Sequence, residues 1–126
     1  MTFNFIASDQ LNMDVFKSVD KFVVTYPDFQ TVPLNGEHEL KLLLELIGIR
    51  DFVSHDLKDN EFSKFWDLSN HKFPEFNEEQ FDTFYDKWIK TSGRDNNMDE
   101  YGALIFLQGL SEKWNRLNFR GIVMDK

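Results

Sequence analysis

The chain has 126 residues, with 22 Asp and Glu against 14 Lys and Arg, a net charge of -8, and no cysteine. That length gives a single domain, residues 1–126, able to bury a core, and 41% hydrophobic residues argue against disorder. The lack of cysteine excludes a disulfide scaffold, a thiolate zinc site and a cysteine nucleophile.

Helical periodicity dominates the pattern. After a short Phe3–Ala7 stretch, Val15, Phe16, Val19, Phe22 and Val23 recur at 3/4 spacing and predict an amphipathic helix from Met13 to Thr25, stopped by Pro27. Its last part, Phe22 to Tyr26, also suits a strand. A loop with Pro33 and Asn35-Gly36 leads into a second helix, Glu37–Ile47. Leu40, Leu43, Leu44 and Ile47 give it one face, which Leu42 and Leu46 widen; Gly48 supplies the stop. Asn60 is placed to cap a third helix carrying Phe62, Phe65 and Trp66.

Asn77 followed by Gln80 is a capping-box pattern, and Phe81, Phe84, Tyr85, Trp88 and Ile89 then repeat at helical spacing until Gly93. Helix is predicted over Glu78–Ser92. A last helix is predicted over Met98–Leu117, with an apolar face that drifts and Gly109 as a bend or a close approach. The tail, Asn118–Lys126, is too apolar for a fully solvated end. The resulting expectation is an all-α bundle of about five helices with short loops. The alternative is α+β, if Phe3–Ala7 and Arg120–Met124 pair as strands.

Catalytic and metal motifs are missing from the pattern. His38, His55 and His71 stand far apart in sequence, outside any His-Glu-x-x-His frame. Asp95-Asn96-Asn97-Met98-Asp99 opens like an EF-hand loop. It fails where glycine and a bidentate carboxylate are needed, at Glu100 and Phe106. Ser54-His55-Asp56 are sequence neighbours, whereas triad members converge from separate elements. There is no nucleophile elbow, phosphate loop or dinucleotide fingerprint. The expectation is a non-enzyme with no metal and no cofactor.

The acids are unevenly placed. Residues 1–86 hold 17 acidic and 7 basic side chains, net -10, and residues 87–126 hold 5 and 7, net +2. Such a surface repels nucleic acid and attracts a basic protein. Lys87, Lys90, Arg94, Lys113, Arg116 and Arg120 read as neutralising neighbours rather than as a phosphate-binding patch. Two acidic groups are the candidate partner-binding surface. Asp51, Asp56, Asp59 and Glu61 precede the predicted third helix, and Glu78, Asp82 and Asp86 form an i, i+4, i+8 stripe. Trp66 and Tyr85, or Tyr26 and Tyr101, would anchor a partner if exposed beside them.

Two further stretches, Phe81-Asp82-Thr83-Phe84-Tyr85-Asp86-Lys87-Trp88 and Tyr101 to Leu110, complete the character of the chain. It resembles the small, acidic, cysteine-free immunity proteins of bacterial toxin–immunity pairs, in particular those of contact-dependent growth inhibition systems. No functional residue carries over, because such proteins diverge with their toxins. The resemblance implies one-to-one inhibition of a cognate toxin domain, commonly a basic nuclease, and cytoplasmic residence.

The N-terminus lacks a basic region before an apolar run, and no apolar run is long enough to span a membrane. The leading expectation is therefore a soluble, cytoplasmic toxin inhibitor, monomeric when free. The alternatives are a DNA-mimicking decoy of a nuclease and a small enzyme with a carboxylate/His site near His55 and His71.

Overall fold

The structure is a computed structural model that describes residues 1–9, 13–26, 28–57, 61–94 and 98–125. It is α+β, which corrects the all-α expectation. Five strands form one antiparallel sheet: β1 (Thr2–Ser8), β2 (Gln30–Pro33), β3 (Ser54–Asp56), β4 (Phe62–Asp67) and β5 (Phe119–Asp125), in the spatial order β2-β1-β5-β4-β3. The two ends of the described chain make the central pairing, from Phe3 opposite Met124 to Ser8 opposite Phe119. Phe3–Ala7 and Arg120–Met124 are thus strands, as in the α+β alternative.

Side chains alternate across a strand, so each strand feeds two layers. Phe3, Phe5, Trp66, Ile122 and Met124 face α2 (Glu37–Leu46), α3 (Glu78–Ser92) and α4 (Met98–Asn115). Ile6, Phe65, Phe119 and Val123 face the other way, onto a 3-10 turn (Met13–Lys17) and the short helix α1 (Val19–Thr25). Phe16 is the hub of this second layer, with the rings of Phe22, Tyr26, Phe62 and Phe65 centred 5.5 to 6.4 Å away.

The predicted third helix is instead strand β4. Phe62, Phe65 and Trp66 have helical spacing because a β-bulge lies between Phe62 and Lys64. The extra residue lets Phe62 and Phe65 share one face although three positions separate them. Asn60, its expected cap, lies outside the described residues.

The single helix expected over Met13–Thr25 is broken at Ser18. Ser18 has extended backbone (φ -144°, ψ 129°), and its hydroxyl accepts from Lys21 N to begin α1. Pro27 lies outside the described residues. The helix over Glu78–Ser92 forms with the predicted boundaries. Asn77 and Gln80 make the reciprocal capping box, and Gly93 ends the helix at φ 69°. In α4 the buried stripe runs Glu100, Leu104, Leu107, Ser111 and Trp114. Two polar members explain why the apolar face drifts. At Gly109 an added Cβ would meet nothing within 4 Å among the described residues, so no close approach is made to any of them there.

Two arginines, the partly buried Arg94 and the buried Arg120, tie the elements of the helical side together. Arg94 Nη1 lies 2.6 Å from Glu39 of α2, and its Nη2 lies 2.6 Å from Glu100 of α4. Arg120 of β5, 5% exposed, donates to the carbonyls of Ser69, His71, Trp114 and Leu117 at 2.7 to 3.1 Å. It thereby joins the loop after β4 to the carbonyl end of α4, where the helix dipole favours a cation. Asn115 reinforces the joint by bonding both the N–H and the C=O of Phe73 at 2.8 Å.

Candidate functional site

The predicted acidic surface is present in part. Glu78, Asp82 and Asp86 are exposed on α3, and Asp51 and Asp56 are exposed before and on the edge strand β3. Glu61 is exposed before β4. Asp59 lies outside the described residues. Among the described residues no ion pair uses any of these carboxylates; the pairs fall on Asp14, Asp28, Glu37, Glu39, Glu100 and Glu112. The two acidic groups do not converge through shared partners. Asp82 accepts from the Tyr101 hydroxyl of α4 at 3.2 Å, whereas Glu61 accepts from Val19 N at the start of α1 at 3.0 Å.

The aromatic anchors are not available. Trp66 is 3% exposed and Tyr85 6%, and Tyr26 is also buried. Trp66 packs on Phe3, and Tyr85 is edge-on to Tyr101. These rings are core, so the candidate binding role of Trp66 and Tyr85 is corrected: a partner cannot reach them without unpacking the domain. Tyr101 is half-buried. Its hydroxyl is pushed above the ordinary tyrosine pKa by desolvation, then by its hydrogen bond to Asp82 and the negative charges of Asp82 and Glu78.

The basic side chains of the last third are largely engaged. Arg94 pairs with Glu39 and Glu100, Arg120 is buried on backbone carbonyls, Lys113 pairs with Asp28, and Arg116 pairs with Glu112. Among the described residues the two buried carboxylates, Glu39 and Glu100, are both neutralised by Arg94. The histidines are dispersed. His55 stacks on Phe65, and His71 Nε2 lies 2.8 Å from the Asp51 carbonyl. Among the described residues no group of three or more His, Asp and Glu is placed to hold a metal ion. Residues 95–97 of the EF-hand-like stretch lie outside the described residues, and Glu100 is spent on Arg94 and Trp88.

A concave site that sequence reasoning missed lies beside α1. A cleft of about 370 Å³ is floored by Phe22, Phe29 and Phe62, and flanked by Val19 and Val23 of α1 and Thr31 of β2. Glu61 and Asp125 also line it. Asn4 organises its polar wall by accepting from Thr31 Oγ1 at 2.7 Å and donating to Asp125 Oδ1 at 2.8 Å. Val19 is 47% exposed, Val23 44% and Val24 81%, so α1 presents valines to solvent on top of its buried Phe22. The signal was the run Phe22-Val23-Val24: at 100° per residue, three successive apolar side chains cannot all face one core. By contrast, the cavity between the sheet and α2, α3 and α4 holds only about 30 Å³ behind Phe5, Leu43 and Leu107.

No family model, curated protein or solved structure matches the chain. Among the described residues no helix is long and apolar enough to cross a membrane.

Proposed function

We propose that this chain is a non-enzymatic binding protein that neutralises a basic protein, acting as the cytoplasmic immunity partner of a toxin nuclease. The observation that carries this reading is the set of exposed carboxylates that form no ion pair among the described residues: Asp51, Asp56, Glu61, Glu78, Asp82 and Asp86. Carboxylates left unpaired on a surface with net charge -8 accelerate encounter with a basic partner and select against acidic ones. The rigid, aromatic-packed sheet beneath them suits an inhibitor, because a preorganised surface loses little entropy on binding.

The test is affinity capture from the native host with salt-graded elution, followed by mass spectrometry. The expected result is one stoichiometric basic protein released by salt, with slower association once Glu78, Asp82 and Asp86 are changed to Lys. Recovery of no protein partner, or association indifferent to these reversals and to Asp51→Lys with Asp56→Lys, would overturn the reading. Loss of capture in competition with duplex DNA, across unrelated DNA-binding proteins, would replace it with the DNA-mimic alternative.

A further inference from the structure

We infer that the cleft beside α1 receives an arginine or lysine side chain of the protein partner, stem on Val19, Val23 and Phe29 and cationic tip on Glu61 and Asp125. The inference rests on the proposed function and names a point of contact on that surface.

The chemistry of the cleft is two-sided. Its apolar floor reaches solvent through Val19, Val23 and the half-buried Phe29, which lie over the buried rings of Phe22 and Phe62. Its rim holds two carboxylates, both exposed and, among the described residues, neither in an ion pair. An aliphatic occupant would satisfy the floor and strand the carboxylates beside apolar surface. An acidic occupant would be repelled. Arginine and lysine alone among the side chains combine a long apolar stem with a cation, and they customarily bury the stem while the head stays wet.

The carboxylates are also held in place. Glu61 Oε2 is fixed by Val19 N at 3.0 Å, and Asp125 Oδ1 by Asn4 Nδ2 at 2.8 Å. Asn4 is 4% exposed and is itself fixed by Thr31 and the Val123 carbonyl. Each carboxylate keeps acceptor capacity for a guanidinium or ammonium. Prepositioned acceptors beside an apolar wall are the arrangement expected of a specific contact rather than of a diffuse acidic face.

The test is a titration of the whole chain with acetyl-Ala-Arg-Ala-amide, followed by nitrogen–proton NMR correlation spectra. Acetyl-Ala-Leu-Ala-amide and acetyl-Ala-Glu-Ala-amide are the comparison probes. Saturable shifts confined to Val19, Val23, Thr31 and Asp125 are expected for the arginine peptide, weaker ones for leucine and none for glutamate. Glu61→Gln with Asp125→Asn keeps both acceptors for Val19 and Asn4 while removing the charges. It should raise the arginine peptide's Kd about threefold or more, with the thermal midpoint preserved. Val23→Thr, which keeps shape and adds a hydroxyl, should weaken the arginine and leucine peptides together. No saturable shift in the cleft, equal shifts for leucine and arginine, or shifts spread evenly over the α3 acids would overturn the inference. If a basic partner is captured from the host while the cleft stays silent, the cleft is wrong and the proposed function stands. If the cleft binds arginine peptide and no partner is captured, the reverse holds.

Discussion

Trp88 Nε1 donates a 2.6 Å hydrogen bond to Glu100 Oε1, joining a side chain of α3 that is 0% exposed to one of α4 that is 1% exposed. The other oxygen of Glu100 lies 2.6 Å from Arg94, which also reaches Glu39 of α2. One buried carboxylate therefore sets the register of two helices, and one arginine ties them to a third. A buried charge is tolerable only with such a full set of partners.

Removing Glu100 should therefore be costly. Glu100→Ala leaves the Trp88 N–H without its acceptor and Arg94 with half its neutralisation, and should cost about 3 kcal/mol. Glu100→Gln should cost less, because it keeps an acceptor for Trp88. Urea denaturation followed by tryptophan fluorescence checks both: the midpoint falls in that order while the slope is unchanged.

The same network shows what the sequence discloses and what it hides. Local rules reach α3 and its caps because Asn77, Gln80 and Gly93 act within a turn of the residues they serve. They reach the two terminal strands only as an alternative. The pairing of Phe3 with Met124 joins residues over a hundred positions apart, and no local signal carries it. The β4 bulge defeats periodicity outright, since Phe62, Phe65 and Trp66 keep helical spacing on a strand. The acids of α3 are legible as a stripe, but the cleft is not. Asp125 joins Glu61 there only because β5 runs through the centre of the sheet. Burial of Trp66 likewise depends on which face the sheet presents to α2, α3 and α4, whereas Tyr85 follows from the apolar stripe of α3 and packs on Phe81 and Tyr101.

Two glycines should respond in opposite directions. At Gly121 in β5 an added Cβ would sit 2.8 Å from the Trp66 carbonyl oxygen and 2.9 Å from the Phe65 and Phe119 rings. The backbone carbonyl cannot swing aside, so Gly121→Ala should destabilise by about 2 kcal/mol. Gly109 lies in α4, where an added Cβ would meet nothing within 4 Å among the described residues. Gly109→Ala should stabilise by about 1 kcal/mol through helix propensity. Thermal unfolding of the two variants should move the midpoint down and up respectively.

Arg120 should resist even its closest substitute. Its planar guanidinium spans four carbonyls at once, those of Ser69, His71, Trp114 and Leu117. Burial lowers its pKa from the ordinary arginine value, and the negative charge of Asp67 opposes that. Arg120→Lys keeps the charge but not the fork, and Arg120→Met keeps neither. Each should lose about 2 kcal/mol or more, Met more than Lys. Native-state hydrogen exchange should show early opening of residues 68–76 and of the end of α4, ahead of the β1–β5 pairing.

Tyr101 gives the pH dependence that bears on the proposed surface. Desolvation, the hydrogen bond to Asp82 and nearby negative charge all favour the neutral phenol, so its folded-state pKa lies above its unfolded one. The sign follows from linkage. The folded state holds this proton more tightly, so the contribution is fully present below the unfolded pKa and is lost as pH rises through the raised folded value. Ring-carbon NMR titration should show Tyr101 ionising above the ordinary tyrosine range, and Asp82→Asn should bring it down. A partner cation on the α3 acids would act in the same direction as Asp82→Asn, because it offsets the negative charge that holds the proton on Tyr101. Adding the captured basic protein should therefore lower the Tyr101 pKa. An unchanged titration in the complex would place the partner away from Glu78 and Asp82.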